Sequence, residues 1–437
     1  MPASPVVSPE RPAIPLEVAP AAHISAATAP AWEELAARFR PIFARIAGGA
    51  VAREQTRTLA YEPVAWLREA GFGAVRIPKA YGGSGATLPQ LFRLLLELAE
   101  ADSNVSHLFR GHFSFLEARL NLPDPASHAR WFPQIAQGII LGYAMAERTE
   151  HTGGSAKLLQ ENGEYFVDGT KYYSTGTIYA DWIVVALLDG EERVSVVVPT
   201  NAPGVTRIDD WDGFGQRLTG SGTTKFDRVK IGAEQIIRRF TPSDLTQNSQ
   251  KSFLQLVLLA SAAGVGRAVV RDSIAFVQPR TRAFGIPGKS SPKDDPLVQR
   301  VLGKVSSLAF SAETLVLAIA QHLEEVYQLA QRGLAQEADF VALEIKAYQA
   351  QQIVLPQVLE AATLLFEVGG ASATSETRRL DRHWRNARTA ASHNPAIHRE
   401  AAIGDYLLNG TLPDRAMREA IEKRATAADA PAAQAAA

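Results

Sequence analysis

Two motifs in the middle of the chain decide its fold: DGTKYYSTG (Asp168–Gly176) and DDWDGFGQRLTGSGTT (Asp209–Thr224). Both lie between Gly138 and Ile231, a long segment rich in the β-branched and aromatic residues that are typical of strands. Asp189-Gly190 separates two apolar runs and indicates a hairpin turn. Because no helical pattern alternates with these strands, we expect a compact antiparallel barrel or sandwich.

Helical sequence lies on both sides of this β segment. It begins near Ala31, with a break expected at Pro41, and returns as three long helices over Leu254–Val277, Pro296–Leu329 and Glu337–Val368. We therefore predict a mainly α chain with a central β domain and a C-terminal four-helix bundle. The expected segments are a disordered leader (1–30), an N-terminal helical domain (31–137), the β domain (138–240), the bundle (241–425) and a disordered tail (426–437).

Composition excludes several classes of function. The chain has 437 residues, a net charge of −1 and no cysteine, so disulfides and thiolate chemistry are excluded, and the charge gives no sign of a nucleic-acid partner. The missing cysteine fits a cytoplasmic protein. No apolar run approaches the roughly 20 residues of a membrane helix, so we expect no membrane partner. We also expect no metal site.

A nicotinamide site of the chain's own is not expected. The candidate glycine pairs at Gly213–Gly215 and Gly264–Gly266 lack the strand, turn and helix context of a dinucleotide fingerprint. The second pair lies inside a predicted helix, where small residues permit close packing.

The first motif presents three polar side chains together: Tyr173, Ser174 and Thr175. Hydroxyl groups on a sheet can hydrogen-bond the edge of a flavin, and aromatic side chains can wall its ring. The same residues would also suit an ordinary polar strand end. Their spacing alone leaves both interpretations open.

Histidines and arginines supply the other candidates. His107 and His112 lie five residues apart in a helical segment, so their imidazoles face different ways, and the pattern favours ordinary core histidines over a pocket. His393 precedes the helix stop at Pro395, where it could donate a proton or simply favour the helix end. Basic residues that share a helix face could bind phosphate or form local ion pairs; these are Arg378, Arg382 and Arg385.

Longer motifs resemble a known family. GYAMAERTEH (Gly142–His151), DRHWRNARTAASHNP (Asp381–Pro395) and GDYLLNGTLP (Gly404–Pro413), together with the two central motifs, are similar to those of the acyl-CoA dehydrogenase superfamily. Within it the chain resembles the dibenzothiophene monooxygenase and sulfur-acquisition oxidoreductase group. The resemblance extends from about Ala31 to Pro413.

This resemblance implies a two-component monooxygenase. FMN, rather than FAD, would arrive as FMNH2 from a separate NAD(P)H-dependent flavin reductase and react with O2 to give a C4a-hydroperoxide. One oxygen atom would pass to a small-molecule substrate, typically at sulfur. The family also implies a homotetramer.

The resemblance also implies site residues. The catalytic ones would be His393, Thr175 near flavin N5, and His107 on the substrate side. Trp211 would wall the ring, and Arg282, with Arg280 as a competitor, would bind the phosphate. The remaining flavin contacts would be Tyr143, Ala144, Met145, Ala146, Glu147, Arg148, Lys171, Tyr173, Ser174 and, from a neighbouring subunit, Gly370, Ala371 and Ser372.

The chain departs from the family pattern at several positions. His393 and its neighbours stand where the dehydrogenases carry a carboxylate base, so α-proton abstraction from a thioester is not expected. Gly111 stands where a tyrosine is expected, and Ala146, Ser372 and Ala390 also replace polar residues, so the substrate need not be dibenzothiophene. The alternatives are an amine N-hydroxylase, an aromatic hydroxylase, an acyl-CoA dehydrogenase and a non-catalytic flavin-binding protein.

Overall fold

The computed structural model describes residues 24–147, 156–190, 192–240, 246–281 and 291–413. Within these ranges the order of N-terminal helices, central sheet and C-terminal helices is as expected from the sequence. The expected disordered leader is described only from Ile24, which is buried in the core, so the expectation is wrong at that residue. The tail and the residues between the ranges lie outside this description.

Five helices form the N-terminal part: α1 (Trp32–Thr56), α2 (Tyr61–Glu69), α3 (Leu88–Leu108), α4 (Arg110–Leu120) and α5 (Pro125–Ala136). The expected break at Pro41 is wrong, because α1 continues through it. Pro41 is exposed, so water can bond the carbonyl group that the proline leaves without a donor. Thr87 caps α3 through a reciprocal pair of hydrogen bonds with Gln90.

Eight strands form one sheet: β1 (Leu141–Ala144), β2 (Lys157–Glu161), β3 (Glu164–Lys171), β4 (Trp182–Asp189), β5 (Glu192–Pro199), β6 (Val205–Arg207), β7 (Thr224–Ile231) and β8 (Ile236–Arg239). The strand order is β6-β7-β3-β2-β4-β5-β8, with β1 beside β4. The β4–β5 hairpin is antiparallel as expected. The purely antiparallel expectation is wrong at β4, which runs parallel to both β1 and β2. The chain between β1 and β4 holds the β2–β3 hairpin and is long enough for a crossover.

The sheet has a core of its own. Val167, Ile183, Val185, Val196 and Val229 are buried together, apart from the larger cluster that unites the helices. The β segment therefore packs as a unit between two helical regions.

The C-terminal part contains α6 (Thr246–Val277), α7 (Pro296–Gln331), α8 (Glu337–Gly369), α9 (Asp381–Ser392) and α10 (Ala396–Asn409). Helices α6, α7 and α8 pack on one another, and α6 also packs on α3. Because α9 lies against both α6 and α8, its C-terminal end is held beside the N-terminal helices.

Three of these helices are long and apolar enough to cross a membrane by length and composition, so the expectation that no segment reaches that length is wrong. Uninterrupted apolar runs are short, but leucine, valine, isoleucine and alanine are frequent and charged residues few, which keeps the mean hydropathy high. In α6, 83% of the most apolar window is buried inside the protein, against 33% in α7 and 44% in the helix that contains α8. Apolar surface on α7 and α8 is thus left uncovered within one chain.

Candidate active site

The loop that carries the second motif joins all three parts of the chain. Asp209 accepts two hydrogen bonds of 2.8 Å from Arg57 of α1. The backbone N–H of Leu218 donates to Asn104 Oδ1 of α3 at 3.1 Å, and that of Gln216 donates to Asn386 Oδ1 of α9 at 2.7 Å. The loop therefore fixes the sheet, the N-terminal helices and α9 at one place.

Two glycines make this close packing possible. A Cβ at Gly215 would lie 2.1 Å from the carbonyl oxygen of Arg385, and one at Gly213 would lie 2.1 Å from the ring of Trp211. Since neither distance is sterically allowed, the Gly213–Gly215 pair serves packing. This explains why it lacks the context of a dinucleotide site.

A chain of hydroxyl groups runs from the first motif into this loop. Thr175 Oγ1 lies 2.8 Å from Ser221 Oγ, which lies 2.7 Å from Thr219 Oγ1. Thr219 donates to the carbonyl oxygen of Gln216 at 2.9 Å, and Gln216 Oε1 lies 3.4 Å from His107 Nδ1. Thr175 and His107, which come from different domains, therefore belong to one hydrogen-bonded network.

A break in α3 places His107. Asp102 has non-helical backbone angles (φ −160°, ψ 109°), and its carboxylate accepts a hydrogen bond of 3.1 Å from the N–H of Asn104, so it caps the last turn of the helix. Arg53 holds the same carboxylate at 2.8 Å. Burial lowers the pKa of His107 to about 4, and its Nε2 has no hydrogen-bond partner among the described residues.

His393 follows the end of α9 and is held through Asn394. Its Nδ1 lies 3.2 Å from Asn394 Oδ1, and Asn394 Nδ2 donates to Gln255 Oε1 at 2.6 Å. Its Nε2 accepts a hydrogen bond of 3.4 Å from Arg110 Nη1. Desolvation, then Arg110 and His107, hold the pKa of His393 well below its ordinary value. The imidazole is therefore neutral at neutral pH, and its Nε2 can accept a proton once the hydrogen bond from Arg110 is released.

The structure brings the two predicted catalytic histidines together. Their ring centroids lie 6.3 Å apart. His393 remains accessible to solvent although its surroundings desolvate it, so it lines an opening rather than the packed core. The expectation from the pattern that His107 is an ordinary core histidine holds instead for His112, whose Nε2 donates to the carbonyl of Gly73 at 2.8 Å and whose Nδ1 accepts from the N–H of Leu141 at 3.2 Å.

Arg110, the first residue of α4, was missed by the sequence reasoning. Its Nε donates to the carbonyl oxygen of Leu254 at 3.0 Å and its Nη1 reaches His393. Burial lowers the pKa of this guanidinium to about 10. The available signal was an arginine inside an otherwise apolar and aromatic segment, HLFRGHF (His107–Phe113).

Tyr143 and Gly111 are matched in shape. A Cβ at Gly111 would lie 2.8 to 3.0 Å from three atoms of the Tyr143 side chain. Tyr143 Oη donates to Ser114 Oγ at 3.4 Å. The aromatic group that the family pattern led us to expect at position 111 is thus replaced by one that comes from β1, and the wall of the site is changed at this point.

The other residues of the predicted flavin segment have different environments. Ala144 is fully buried in the sheet, and Met145 and Ala146 are exposed. Lys171 Nζ and Glu147 Oε1 form a mostly buried ion pair at 2.5 Å, which occupies both side chains. Arg148 lies outside the described residues.

Tyr173 and Trp211 form a partly exposed aromatic surface that suits a flavin, and Ser174 follows Tyr173 in the chain. The rings of Tyr173 and Trp211 meet edge to face with centroids 6.0 Å apart, and Tyr173 is 47% exposed. Ser174 is fully buried, yet its Oγ has no hydrogen-bond partner among the described residues. Because a buried hydroxyl is normally satisfied, Ser174 Oγ and His107 Nε2 are two polar atoms that fit a bound polar cofactor or substrate.

The predicted phosphate and neighbouring-subunit residues are not part of this cluster. Arg282 lies outside the described residues, and Arg280 donates to the carbonyl of Gly369 at 3.2 Å. Gly370, Ala371 and Ser372 form an exposed turn after α8. This turn is therefore open to a molecule outside the described residues.

The basic helix is largely neutralised by ion pairs. Arg382 binds Asp272 at 2.7 Å, and Arg385 binds Glu54 at 2.7 Å and Asp381 at 2.8 Å. The expected local ion pair is thus present at Asp381, but the other partners are distant in sequence, and Arg378 packs over the ring of Phe276. In the described part of the chain, no three histidine, aspartate or glutamate side chains converge as metal ligands would.

Several relatives of the chain are monooxygenases by name, and others are acyl-CoA dehydrogenases. A dibenzothiophene monooxygenase of Mycolicibacterium goodii is 27% identical over 385 residues, which cover 83% of this chain and 91% of the relative. A probable FMNH2-dependent monooxygenase of Pseudomonas putida, SfnC, is 26% identical over 352 residues, covering 79% of this chain and 88% of the relative.

A solved structure and the family domains agree on the fold. The structure of TdsC from Paenibacillus sp. A11-2 with FMN and indole has a TM-score of 0.81 at 24% identity, and the match covers 87% of this chain and 98% of TdsC. Residues 33–139 match the N-terminal domain of acyl-CoA dehydrogenases, and residues 256–397 match their C-terminal domain. The chain belongs to the acyl-CoA dehydrogenase superfamily and, within it, is similar to the FMN-dependent monooxygenases.

Proposed function

We propose that this protein is an FMNH2-dependent monooxygenase that uses O2 to oxygenate a small organic substrate at sulfur. The observation that carries the proposal is the pair of neutral imidazoles, His107 and His393, at an opening where the described residues place no carboxylate within hydrogen-bond distance of either ring. An acyl-CoA dehydrogenase needs a carboxylate base, whereas oxygen transfer needs a group that can accept and return a proton.

The described residues assign roles around a bound FMN. Trp211 and Tyr173 would cover one face of the ring, and the buried hydroxyl of Ser174 would gain the partner that it lacks in the protein alone. Thr175, held by Ser221, would hydrogen-bond the N5 edge. Reduced FMN, when bound, supplies the activated oxygen.

His393 would act at the reacting oxygen. Its neutral Nε2 can take up a proton, and the charge that results would be shared with Asn394 through Nδ1. Arg110 opposes that charge, which keeps the proton mobile. His107, with its free Nε2, would hydrogen-bond the substrate from the opposite side.

Partners follow from the same proposal. A separate NAD(P)H-dependent flavin reductase would supply FMNH2, and the FMNH2-dependent relative supports this. We also propose a homotetramer, since α7 and α8 expose Phe310 (71%), Leu297 (70%) and Ile353 (43%). Apolar side chains exposed in this way are typical of interfaces. The turn Gly370–Ser372 would then reach a neighbouring site. A cytoplasmic location is proposed from the absence of cysteine.

The test is a substrate panel. Purified protein is incubated with FMN, a flavin reductase, NADH and, in turn, an organic sulfide, a sulfone, a sulfinate, an amine, a phenol and an acyl-CoA, and the products are identified by mass spectrometry. We expect an oxygenated product from a sulfur compound and none from the acyl-CoA. Oxygenation of the amine or phenol alone would contradict transfer to sulfur, and dehydrogenation of the acyl-CoA would contradict the proposed class.

A further inference from the structure

The guanidinium of Arg110 lies in the site without a carboxylate partner. We propose that it binds an anionic group on the substrate, so that the preferred substrates are small organic oxyanions whose sulfur can still accept an oxygen atom, such as sulfinates. This inference rests on the proposed function, since it concerns the substrate of the same site.

The hydrogen bonds of Arg110 leave donors free. A guanidinium carries five N–H groups. The Leu254 carbonyl and His393 Nε2 take one each, and no described carboxylate lies within ion-pair distance of it. The donors that remain, next to His393, can form the paired hydrogen bonds with which arginine binds an oxyanion.

Arg110 is one of three guanidinium groups that act on the phenol of Tyr143. The other two are Arg119 and Arg238. Arg119 is buried, and its Nε has no partner among the described residues. Arg238 donates to Gln250 at 3.1 Å, and Gln250 donates in turn to Ser114 Oγ at 3.2 Å.

The position of Arg110 also suits the chemistry. An oxyanion held by Arg110 would have its neighbouring atom beside His393, where oxygen transfer is proposed. For a sulfinate, one atom of O2 forms a new S–O bond, and the other leaves as water with the two hydrogens of FMNH2. The products are a sulfonate, FMN and water, so atoms and electrons balance.

The experiment measures binding to the full-length, FMN-loaded protein by calorimetry. The probes are benzenesulfonate, an inert anion, and methyl phenyl sulfone, a neutral compound of similar shape. We expect Arg110→Gln to weaken the binding of benzenesulfonate by about 10-fold or more and to change the affinity for the sulfone by less than about 2-fold. Arg110→Lys should retain part of the anion affinity, because it keeps the positive charge but lacks the paired N–H donors of a guanidinium.

Arg45→Gln is the matched control. Arg45 is exposed on α1, where its guanidinium lies 3.7 Å from the ring centroid of Trp66, and this variant should bind both probes as the wild type does. If Arg110→Gln leaves the anion affinity unchanged, or loses FMN while keeping the anion, the inference is overturned.

Two other outcomes, misfolding of the variant and failure of the proposed function, can be distinguished from failure of the inference. If Arg110→Gln does not fold, the wild type must still prefer the sulfonate over the sulfone by about 10-fold and Arg110→Lys must reduce that preference; otherwise the inference is overturned. Wild type that binds benzenesulfonate through Arg110 but oxygenates no compound of the panel would instead contradict the proposed function alone.

Discussion

Arg76 and Arg110 show how the same side chain serves two regions of the molecule differently. Arg76 is fully buried and binds Glu117 through two hydrogen bonds of 2.6 and 3.0 Å. Burial opposes its charge, but Glu117 outweighs this and raises the pKa of Arg76. Arg110 has no such partner among the described residues, and burial lowers its pKa. A charge that is neutralised supports the fold, whereas one that is left without a partner is available to a ligand.

The same contrast extends to the surrounding residues. We call the buried, fully paired polar residues that support the fold the frame; examples are Arg76, Glu117, Asp102 and His112. In the frame, Asp102 is paired with Arg53, and both ring nitrogens of His112 are hydrogen-bonded. In the site, His107 Nε2 and Ser174 Oγ have no partner in the described chain. Substitutions in the frame should therefore change stability, and substitutions in the site should change binding and turnover.

The largest effect is expected from breaking the frame at Glu117. Glu117→Gln leaves Arg76 charged and buried, which should lower the free energy of unfolding by about 3 to 5 kcal/mol. Urea unfolding measures this value. The control is Glu161→Gln, which removes a half-exposed ion pair with Arg228 and should change stability by less than about 1 kcal/mol. Equal effects of the two substitutions would contradict the assignment of Arg76 to the frame.

Acid should weaken the fold through its buried neutral histidines. Burial lowers the pKa of His112 from its ordinary 6.5 to about 4. Between these pH values the unfolded chain binds a proton that the folded chain does not, so stability falls as the pH drops through this window, by about 3 kcal/mol for a histidine of this kind.

Unfolding of His112→Gln at several pH values tests this expectation. A glutamine can accept from Leu141 and donate to Gly73, so this variant should show a flatter pH profile. His398→Gln, on the exposed face of α10, should keep the profile of the wild type. A profile that is unchanged in His112→Gln would show that His112 is already protonated in the fold.

A comparable effect on turnover is expected in the site. His393→Ala removes the proton acceptor and should lower oxygenation by about 100-fold or more. FMN affinity, followed by fluorescence, and the melting temperature should stay near those of the wild type. His398→Ala, five residues further along the chain, is the control. Retained oxygenation in His393→Ala would remove this histidine from the mechanism.

The smallest effect separates two buried hydroxyl groups. Thr177 Oγ1 donates to the carbonyl of Ser174 at 2.9 Å, so Thr177→Val should lower stability by about 1 kcal/mol. Ser174→Ala removes a hydroxyl without a partner, so it should leave the protein without flavin equally stable or more stable. It should also weaken the binding of FMN by up to about 10-fold. Loss of stability without loss of FMN affinity would assign Ser174 to the frame.

Some of this arrangement could be predicted from the sequence, because it depends on neighbouring residues. The long helices, the hairpin at Asp189-Gly190, the cap at Thr87 and the motifs around His393 are all local patterns. The continuation of α1 through Pro41 could not be predicted in this way, since it depends on which helix face meets solvent.

The pairing of charges between residues distant in sequence could not be predicted. Arg382 is neutralised by Asp272, which lies 110 residues away, and Arg76 by Glu117, 41 residues away. Arg110 carries the same guanidinium side chain, yet it has no such partner in the described part of the chain. Which arginine supports the fold and which faces a ligand is decided by tertiary packing alone.

The central claim is that this site transfers oxygen from O2 to a sulfur substrate by means of FMNH2. The most direct measurement supplies isotopically labelled O2 to the protein with FMN, a reductase, NADH and a sulfinate or sulfide, and follows the label in the product. The account predicts that a single labelled oxygen atom enters each product molecule and that His393→Ala releases H2O2 in place of product. An oxygen atom that comes from water, or complete conversion of O2 to H2O2 by the wild type, would contradict it.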